Sequence, residues 1–281
     1  LISITVPLST SSNVYGSHLV GKQEFKTLSF LGSLSSLVPS IALITVLLIA
    51  PKNWIIIPVF FVSSLLVSLF SFYYTRKKFV SNNLSNKKRL NDSLHLSVIN
   101  IFSVISGYID KLVLFQFIGG AALASYYFAI APVNQLRSVI KLINPLVSKK
   151  IVQKTPQELK KIIPRKIIPL LGLVTIFFLT YLIGAPLFFK TFFPQYVNVI
   201  LFSQVFAITL LFAPRRLISS TLLLKANNKT LYILSLISSF TKITSTIVFV
   251  IFWGIWGAIF SQILTYFVDT ITSYISLKRL R

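Results

Sequence analysis

Apolar runs of membrane-crossing length, separated by short basic stretches, repeat from one end of this chain to the other. A helix needs about 20 apolar residues to cross the hydrocarbon of a bilayer, and the pattern predicts nine such segments. The first runs from Leu1 to about Tyr15, the next two from about Leu28 to Ala50 and from Trp54 to Tyr74. A fourth spans about Leu94 to Ile118 and a fifth about Ala121 to Val147. The sixth covers about Ile167 to Phe189; the seventh covers about Val197 to Phe212, with a polar continuation to Leu224. The last two run from Leu231 to Phe252 and from Ile255 to Leu277. Core helices of a soluble protein need a polar outer face, and most of these segments have none. The expected fold class is therefore all-α, a polytopic transmembrane helical bundle.

The polar stretches between the segments alternate in charge. The odd-numbered loops hold Lys22 and Lys26; Arg76, Lys77, Lys78, Lys87, Lys88 and Arg89; Lys149, Lys150, Lys154, Lys160, Lys161, Arg165 and Lys166; and Lys225 and Lys229. The tail adds Lys278, Arg279 and Arg281, whereas the even-numbered loops hold only Lys52 and Lys190. Positive loops stay on the cytoplasmic side, which predicts an inner-membrane protein with a cytoplasmic C-terminus. The longest loops, expected at 75–93 and 149–166, suit anionic headgroups of the inner leaflet, although topogenic charge alone also accounts for them.

Composition agrees. Hydrophobic residues make up 54% and charged ones 12%, with 28 Lys+Arg against 5 Asp+Glu and a net charge of +23. A soluble domain carries about a quarter charged residues. Nucleic-acid binding needs a polar basic face, and here the basic residues sit in clusters between apolar runs. There is no cysteine, which excludes disulfides, thiol catalysis and Cys-based metal sites, and no methionine. The chain begins at Leu1 inside an apolar run and reads as a piece lacking its natural start.

A weak internal repeat is present. Lys26-Thr27-Leu28 recurs as Lys229-Thr230-Leu231, and at the same offset Ser35-Ser36 fall on Ser238-Ser239 and Arg76 on Arg279. Each copy reads as a basic turn, a Ser-studded helix, an outer turn with Trp and a second helix. Chance accounts for so few identities too, but repeated bundles are a common transporter plan.

Against this apolar background, ionisable groups at membrane depth stand out, because each costs several kcal/mol, on the order of 3, to insert. Asn100, Ser103, Gly107 and Asp110 recur at helical spacing, and Lys111 follows. Asn134, Arg137, Lys141 and Asn144 form a second stripe, and Ser235, Ser238, Lys242 and Thr246 a third. Gln262 and Asp269 lie seven apart, and Arg215 and Arg216 end the seventh segment. Structural readings compete: Asp110 can pair with Lys111 or Arg137, Lys242 with Asp269, and Arg215, Arg216 and Lys141 can snorkel to the interface. Taken together, the cationic excess points to a cavity for an anion. Hydrolysis or glycosyl transfer needs positioned carboxylates or a metal, and only Asp110 and Asp269 fall within the segments. No phosphate-binding Gly-rich loop is present. An enzyme is the weaker reading and no cofactor is implied.

The stretch Tyr108-Ile109-Asp110-Lys111-Leu112-Val113-Leu114, followed by Phe117-Ile118-Gly119-Gly120-Ala121-Ala122-Leu123-Ala124-Ser125-Tyr126-Tyr127, resembles a signature of the Wzx-type O-antigen and polysaccharide flippases. These belong to the multidrug/oligosaccharidyl-lipid/polysaccharide exporter superfamily. Ala124 stands where the family has Gly. Phe193-Pro194-Gln195-Tyr196, Leu222 through Lys229, and Tyr15-Gly16-Ser17-His18 through Phe25 are similar to the family's other turns, with Pro194 in the first and an Asn in the second in place of the family's glycines. The resemblance implies a two-lobed carrier of twelve to fourteen helices, of which about three leading ones would be missing. Residues 1–75 would be a remnant of the first lobe, 76–93 a basic cytoplasmic linker and 94–281 the second lobe. It implies flipping of a polyprenyl-pyrophosphate-linked glycan by alternating access, coupled to an ion gradient. Lys111, Arg137, Lys141, Arg215, Arg216 and Lys242 would line a cationic cavity, with Asp110 or Asp269 as coupling groups. Implied partners are membrane lipids, that glycan substrate and polysaccharide polymerase machinery, with no nucleic acid. A drug or cation antiporter of the same superfamily, a membrane glycosyltransferase or polymerase, and a non-transporting scaffold are the alternatives.

Overall fold

A computed structural model describes residues 2–49, 52–79, 87–141 and 154–280, with backbone only at 2, 53, 87–96, 98–100, 139–141 and 228. Among the described residues every element is helical. The chain divides into two compact units, Leu1–Asn86 and Lys87–Arg281.

The first unit holds α1 (Ile2–Ser12), α2 (Val14–Gly21), α3 (Phe25–Ile49) and α4 (Asn53–Phe79). The first predicted segment is thus two short helices, broken at Asn13. At 25 and 27 residues, α3 and α4 are long enough to span a bilayer. They pack on each other, and Tyr15, Leu19 and Leu31 close against Leu28, Tyr74 and Phe79. Arg76, Lys77 and Lys78 fill the last turn of α4, where cations favour the helix dipole. Lys22 adds its ammonium to the Phe79 carbonyl at that terminus.

The second unit begins with α5 (Lys87–Phe117) and α6 (Gly120–Lys141). Gly119, at φ +101°, makes the turn between them, a conformation that suits glycine. Next comes α7 (Pro156–Phe192), 37 residues long. It starts well before the predicted Ile167, inside the stretch read as a loop. Thr155 and Glu158 form a reciprocal capping box with Pro156 in the first turn, a start signal that hydrophobicity alone does not register. Residues 75–79 and 87–93 are likewise helical extensions rather than loop. The end of the fifth segment, 142–147, lies outside the described residues, as do 80–86 and 149–153 of the two long stretches.

The seventh segment is built in pieces: a 3-10 turn at Pro194–Val199, α8 (Ile200–Phe206), and a second 3-10 turn at Ala207–Phe212. Pro214 then caps a separate helix, α9 (Arg215–Lys225), so the polar continuation is its own element. The chain ends in α10 (Asn228–Lys278), which reverses at Gly254, φ 55° and ψ −126°. This is the hairpin expected from the last two segments. Its arms meet closely at the turn, because a Cβ on Gly257 would stand 1.9 Å from the Phe249 carbonyl oxygen.

Within this unit the short neutral turns share one end. Ile118 lies 3.8 Å from a Cβ placed on Gly254. Phe128 stacks on Tyr196 at 3.8 Å, and Phe202 meets Trp256 at 4.6 Å. The basic stretches gather at the other end, where Leu159, Ile163, Ile218, Leu222, Leu277 and Leu280 form one cluster. Among the described residues, five runs are long and apolar enough to cross a membrane, and large apolar side chains face outward, Leu48 and Ile183 each at 82% exposure. The buried set includes Asp110, Arg137, Gln262 and Asp269. Apolar outside and polar within is the arrangement of a bundle solvated by hydrocarbon.

The Gly257 contact yields a stability test. Gly257→Ala is expected to push the hairpin arms apart and cost about 1–3 kcal/mol, read as a lower thermal midpoint in detergent. Gly184→Ala, with open space around it, is expected to leave that midpoint unchanged or raise it. Equal midpoints for the two variants would contradict the close approach.

Candidate functional site

The second arm of α10 presents Gln262, Tyr266 and Asp269 on one face, because residues three and four apart stack on a helix. Three polar assemblies hang on that face. At the first, Asp110 of α5 is fully buried and accepts from the Tyr126 hydroxyl at 2.6 Å and from Gln262 Nε2 at 2.9 Å. Lys111 approaches the same carboxylate at 3.4 Å. Its ammonium also donates to the Gly107 carbonyl and lies over the Tyr108 and Tyr127 rings. Both rings are exposed, and Lys111, 21% exposed, lies between them and the buried carboxylate.

At the second, Arg137 of α6 is 7% exposed and bonded to three side chains. It donates to Asn134 at 3.1 Å, to the Tyr266 hydroxyl at 2.7 Å and to Thr209. Its guanidinium also lies over the Phe206 and Tyr266 rings. Neither Asp110–Arg137 nor Lys242–Asp269 pairing occurs among the described residues. Arg137 instead crosslinks α6, the 207–212 turn and α10.

At the third, Arg215 forms an ion pair with Asp269 and lies over the Tyr266 ring, 5.4 Å from its centroid. Here a cavity of ≈ 630 Å³ opens between α5, α9 and α10. Arg215, Arg216 and Asp269 line it. Around them stand the hydroxyls of Ser103, Ser219, Ser220, Ser235, Ser238, Ser239, Thr272 and Ser273. Ser239 also receives a hydrogen bond from Ser106 at 3.3 Å, which fixes α5 against the first arm. Two guanidiniums, one carboxylate and a ring of hydroxyls can hold an anion flanked by hydroxyl-rich groups.

The six predicted cations therefore separate. Arg215 and Arg216 line the cavity, and Arg137 is buried one contact behind it through Tyr266. Lys242 is half-buried one turn along from Ser238 and Ser239, and is not part of the lining. Lys111 pairs with Asp110 outside the lining, and the side chain of Lys141 lies outside the described residues, as does Asn144. Of the two carboxylates, Asp269 is in the cavity and Asp110 is in the packed network. Sequence reasoning passed over Tyr126, Thr209 and Tyr266. The spacing 262, 266, 269 carried the signal for Tyr266; for Thr209, in an apolar 3-10 turn, there was none.

The Asp110 network is open to a direct check. Tyr126→Phe removes the shortest bond to a fully buried carboxyl and is expected to cost about 1–3 kcal/mol, seen as a lower unfolding midpoint in detergent. Tyr127→Phe, on the exposed ring, is expected to leave it within about 0.5 kcal/mol.

A scan against protein-family models gives no match, and neither does a search of curated proteins. Among solved structures, the chain is similar to "Lipid II flippase MurJ, inward closed conformation", with a TM-score of 0.70 at 16% sequence identity. The match covers 98% of this chain and 62% of that one, so this chain spans less than two thirds of the flippase's length. It therefore has the helical membrane-bundle fold of that transporter along nearly its whole length.

Proposed function

We propose that the protein is a flippase-type transporter, moving a lipid-linked glycan precursor across the cytoplasmic membrane by alternating access. One observation carries the reading: the cavity that holds Arg215 and Arg216 among eight hydroxyl-bearing side chains. A phosphate or pyrophosphate presents several acceptor oxygens, and guanidinium forks match them. Sugars present hydroxyls, which serine and threonine meet as both donors and acceptors. The transporter fold supports the same reading. A polyprenyl-pyrophosphate oligosaccharide, such as the repeat unit of a surface polysaccharide, fits both halves of that chemistry. The basic end of the second unit would face the cytoplasm, with the C-terminus on that side.

In this reading Asp269 is the coupling carboxylate. Its pairing with Arg215 competes with an anion for the same guanidinium, so neutralising Asp269 releases Arg215 to the substrate. Asp110, held by Tyr126 and Gln262, keeps α5, α6 and α10 together. Arg137 positions Tyr266 between the two assemblies. An antiporter for cationic drugs would need the opposite balance in its cavity.

The test is translocation of a fluorescent polyprenyl-pyrophosphate oligosaccharide in proteoliposomes. Arg216→Gln and Arg215→Gln are each expected to slow it roughly tenfold or more, the scale of a lost charged hydrogen bond. Asp269→Asn is expected to retain substrate binding and lose its dependence on the ion gradient. Lys111→Gln, outside the cavity lining, is expected to transport as the parent does. Parental rates for both arginine variants at equal reconstitution would overturn the reading.

A further inference from the structure

A second cavity, of ≈ 680 Å³, lies at the basic end of the second unit, apart from the one just described. Its walls are the turn between α9 and α10 and the C-terminal end of α10. Lys225, Lys229 and Arg279 line it with Asn227, Thr230 and Ser276, and no carboxylate is among its described lining residues. The floor is rigid. Leu222, Leu277 and Leu280 pack there with Leu159 and Ile163 of α7, and Ala226 and Leu231 lean on the same cluster. That packing holds Lys229 and Arg279, from opposite ends of α10, across a single cavity.

We infer that this cavity binds a phosphate-bearing anion, and that its natural source is an anionic phospholipid of the adjoining leaflet. Several like charges fixed around one space repel each other and favour an anion between them. Arg279 offers the planar fork that matches phosphate oxygens, Lys229 a second charge, and Thr230 and Ser276 supply hydroxyl donors. Helix α10 starts at the cavity with no side-chain cap on Asn227, so its N-terminal N–H groups add to the same field. Three features favour a lipid over free phosphate. Ile233 and Leu280 are part of the lining. Ile233, Leu236 and Ile237 continue up the first arm as exposed apolar surface, a path for an acyl chain. The cavity also lies at the end of helices whose length places it at headgroup depth. The site is independent of the transport reading, since Arg215, Arg216 and Asp269 take no part in it.

The experiment titrates the purified protein in detergent with phosphatidylglycerol carrying a fluorescent acyl chain. Lys229→Gln/Arg279→Gln is expected to weaken binding at least tenfold, and Lys190→Gln, at the opposite end, to leave it unchanged. Both substituted side chains are exposed, so the fold is expected to survive. Ser276→Leu fills the cavity without removing charge and is expected to weaken binding several-fold, whereas diffuse attraction to a basic surface would leave it at the parental value. Phosphatidylcholine, whose phosphate is neutralised by choline, is expected to bind at least tenfold more weakly. Millimolar inorganic phosphate is expected not to displace the phosphatidylglycerol; displacement would reassign the site to a free phosphate and overturn the lipid assignment. Parental binding by either the double variant or Ser276→Leu would overturn the site itself.

Discussion

Inside a helical bundle solvated by hydrocarbon, a polar side chain without a partner costs more than any apolar contact returns. That constraint organises the second unit. Apolar burial gives little preference for helix-to-helix contact there, since a leucine is as well solvated by lipid as by another leucine. Directional polar bonds give the preference instead. Asp110, Tyr126 and Gln262 bind α5, α6 and α10 at one level. Arg137, Thr209 and Tyr266 bind α6, the 207–212 turn and α10 at the next. Elsewhere the Ser203 hydroxyl, 2.5 Å from both the Tyr181 hydroxyl and the Ala129 carbonyl, ties α7 and α8 to α6. Each such bond is worth about 0.6 kcal/mol on average in a membrane protein, so it is their convergence on one face of α10 that sets the packing.

The same face then separates structure from chemistry. Arg137 is buried and bonded to Asn134, Tyr266 and Thr209, so its charge is committed to holding helices. Arg215 shares one carboxylate, and Arg216 stands in a cavity lined by eight hydroxyl-bearing side chains and four leucines. Charge of the same sign thus does two jobs a few ångströms apart. What distinguishes them is whether protein groups have already supplied the acceptors.

Turn geometry supports both. Gly254 adopts a backbone conformation open mainly to glycine, and Gly257 lets the Phe249 carbonyl come close. The two arms can then run back along each other, with Thr246 and Ser261 hydroxyls 3.1 Å apart. This closeness brings the serines of the first arm and Asp269 of the second to one cavity. It also brings Lys229 and Arg279, at the far ends of those arms, to the same rim.

The sequence by itself determined the solvent, the element type and much of the element order. Apolar runs too long and too uniform for a soluble core require hydrocarbon around them, and helices are how a single chain satisfies its backbone there. Gly119 and Gly254 marked their turns because no other residue adopts those angles as readily. Hydropathy did not show where α7 starts, because a capping box extends a helix into polar residues, nor that Pro214 breaks the seventh segment into separate helices. Tertiary structure alone decided which cations matter. Spacing placed Arg137 and Lys242 alike on polar stripes and left Arg215 at the end of a segment, but a helix period says which face a residue shares and not what stands opposite. Thr209 and Tyr266 close around Arg137, Asp269 reaches Arg215, and Lys111 turns to exposed rings, since partner choice depends on distances between helices that are remote in sequence.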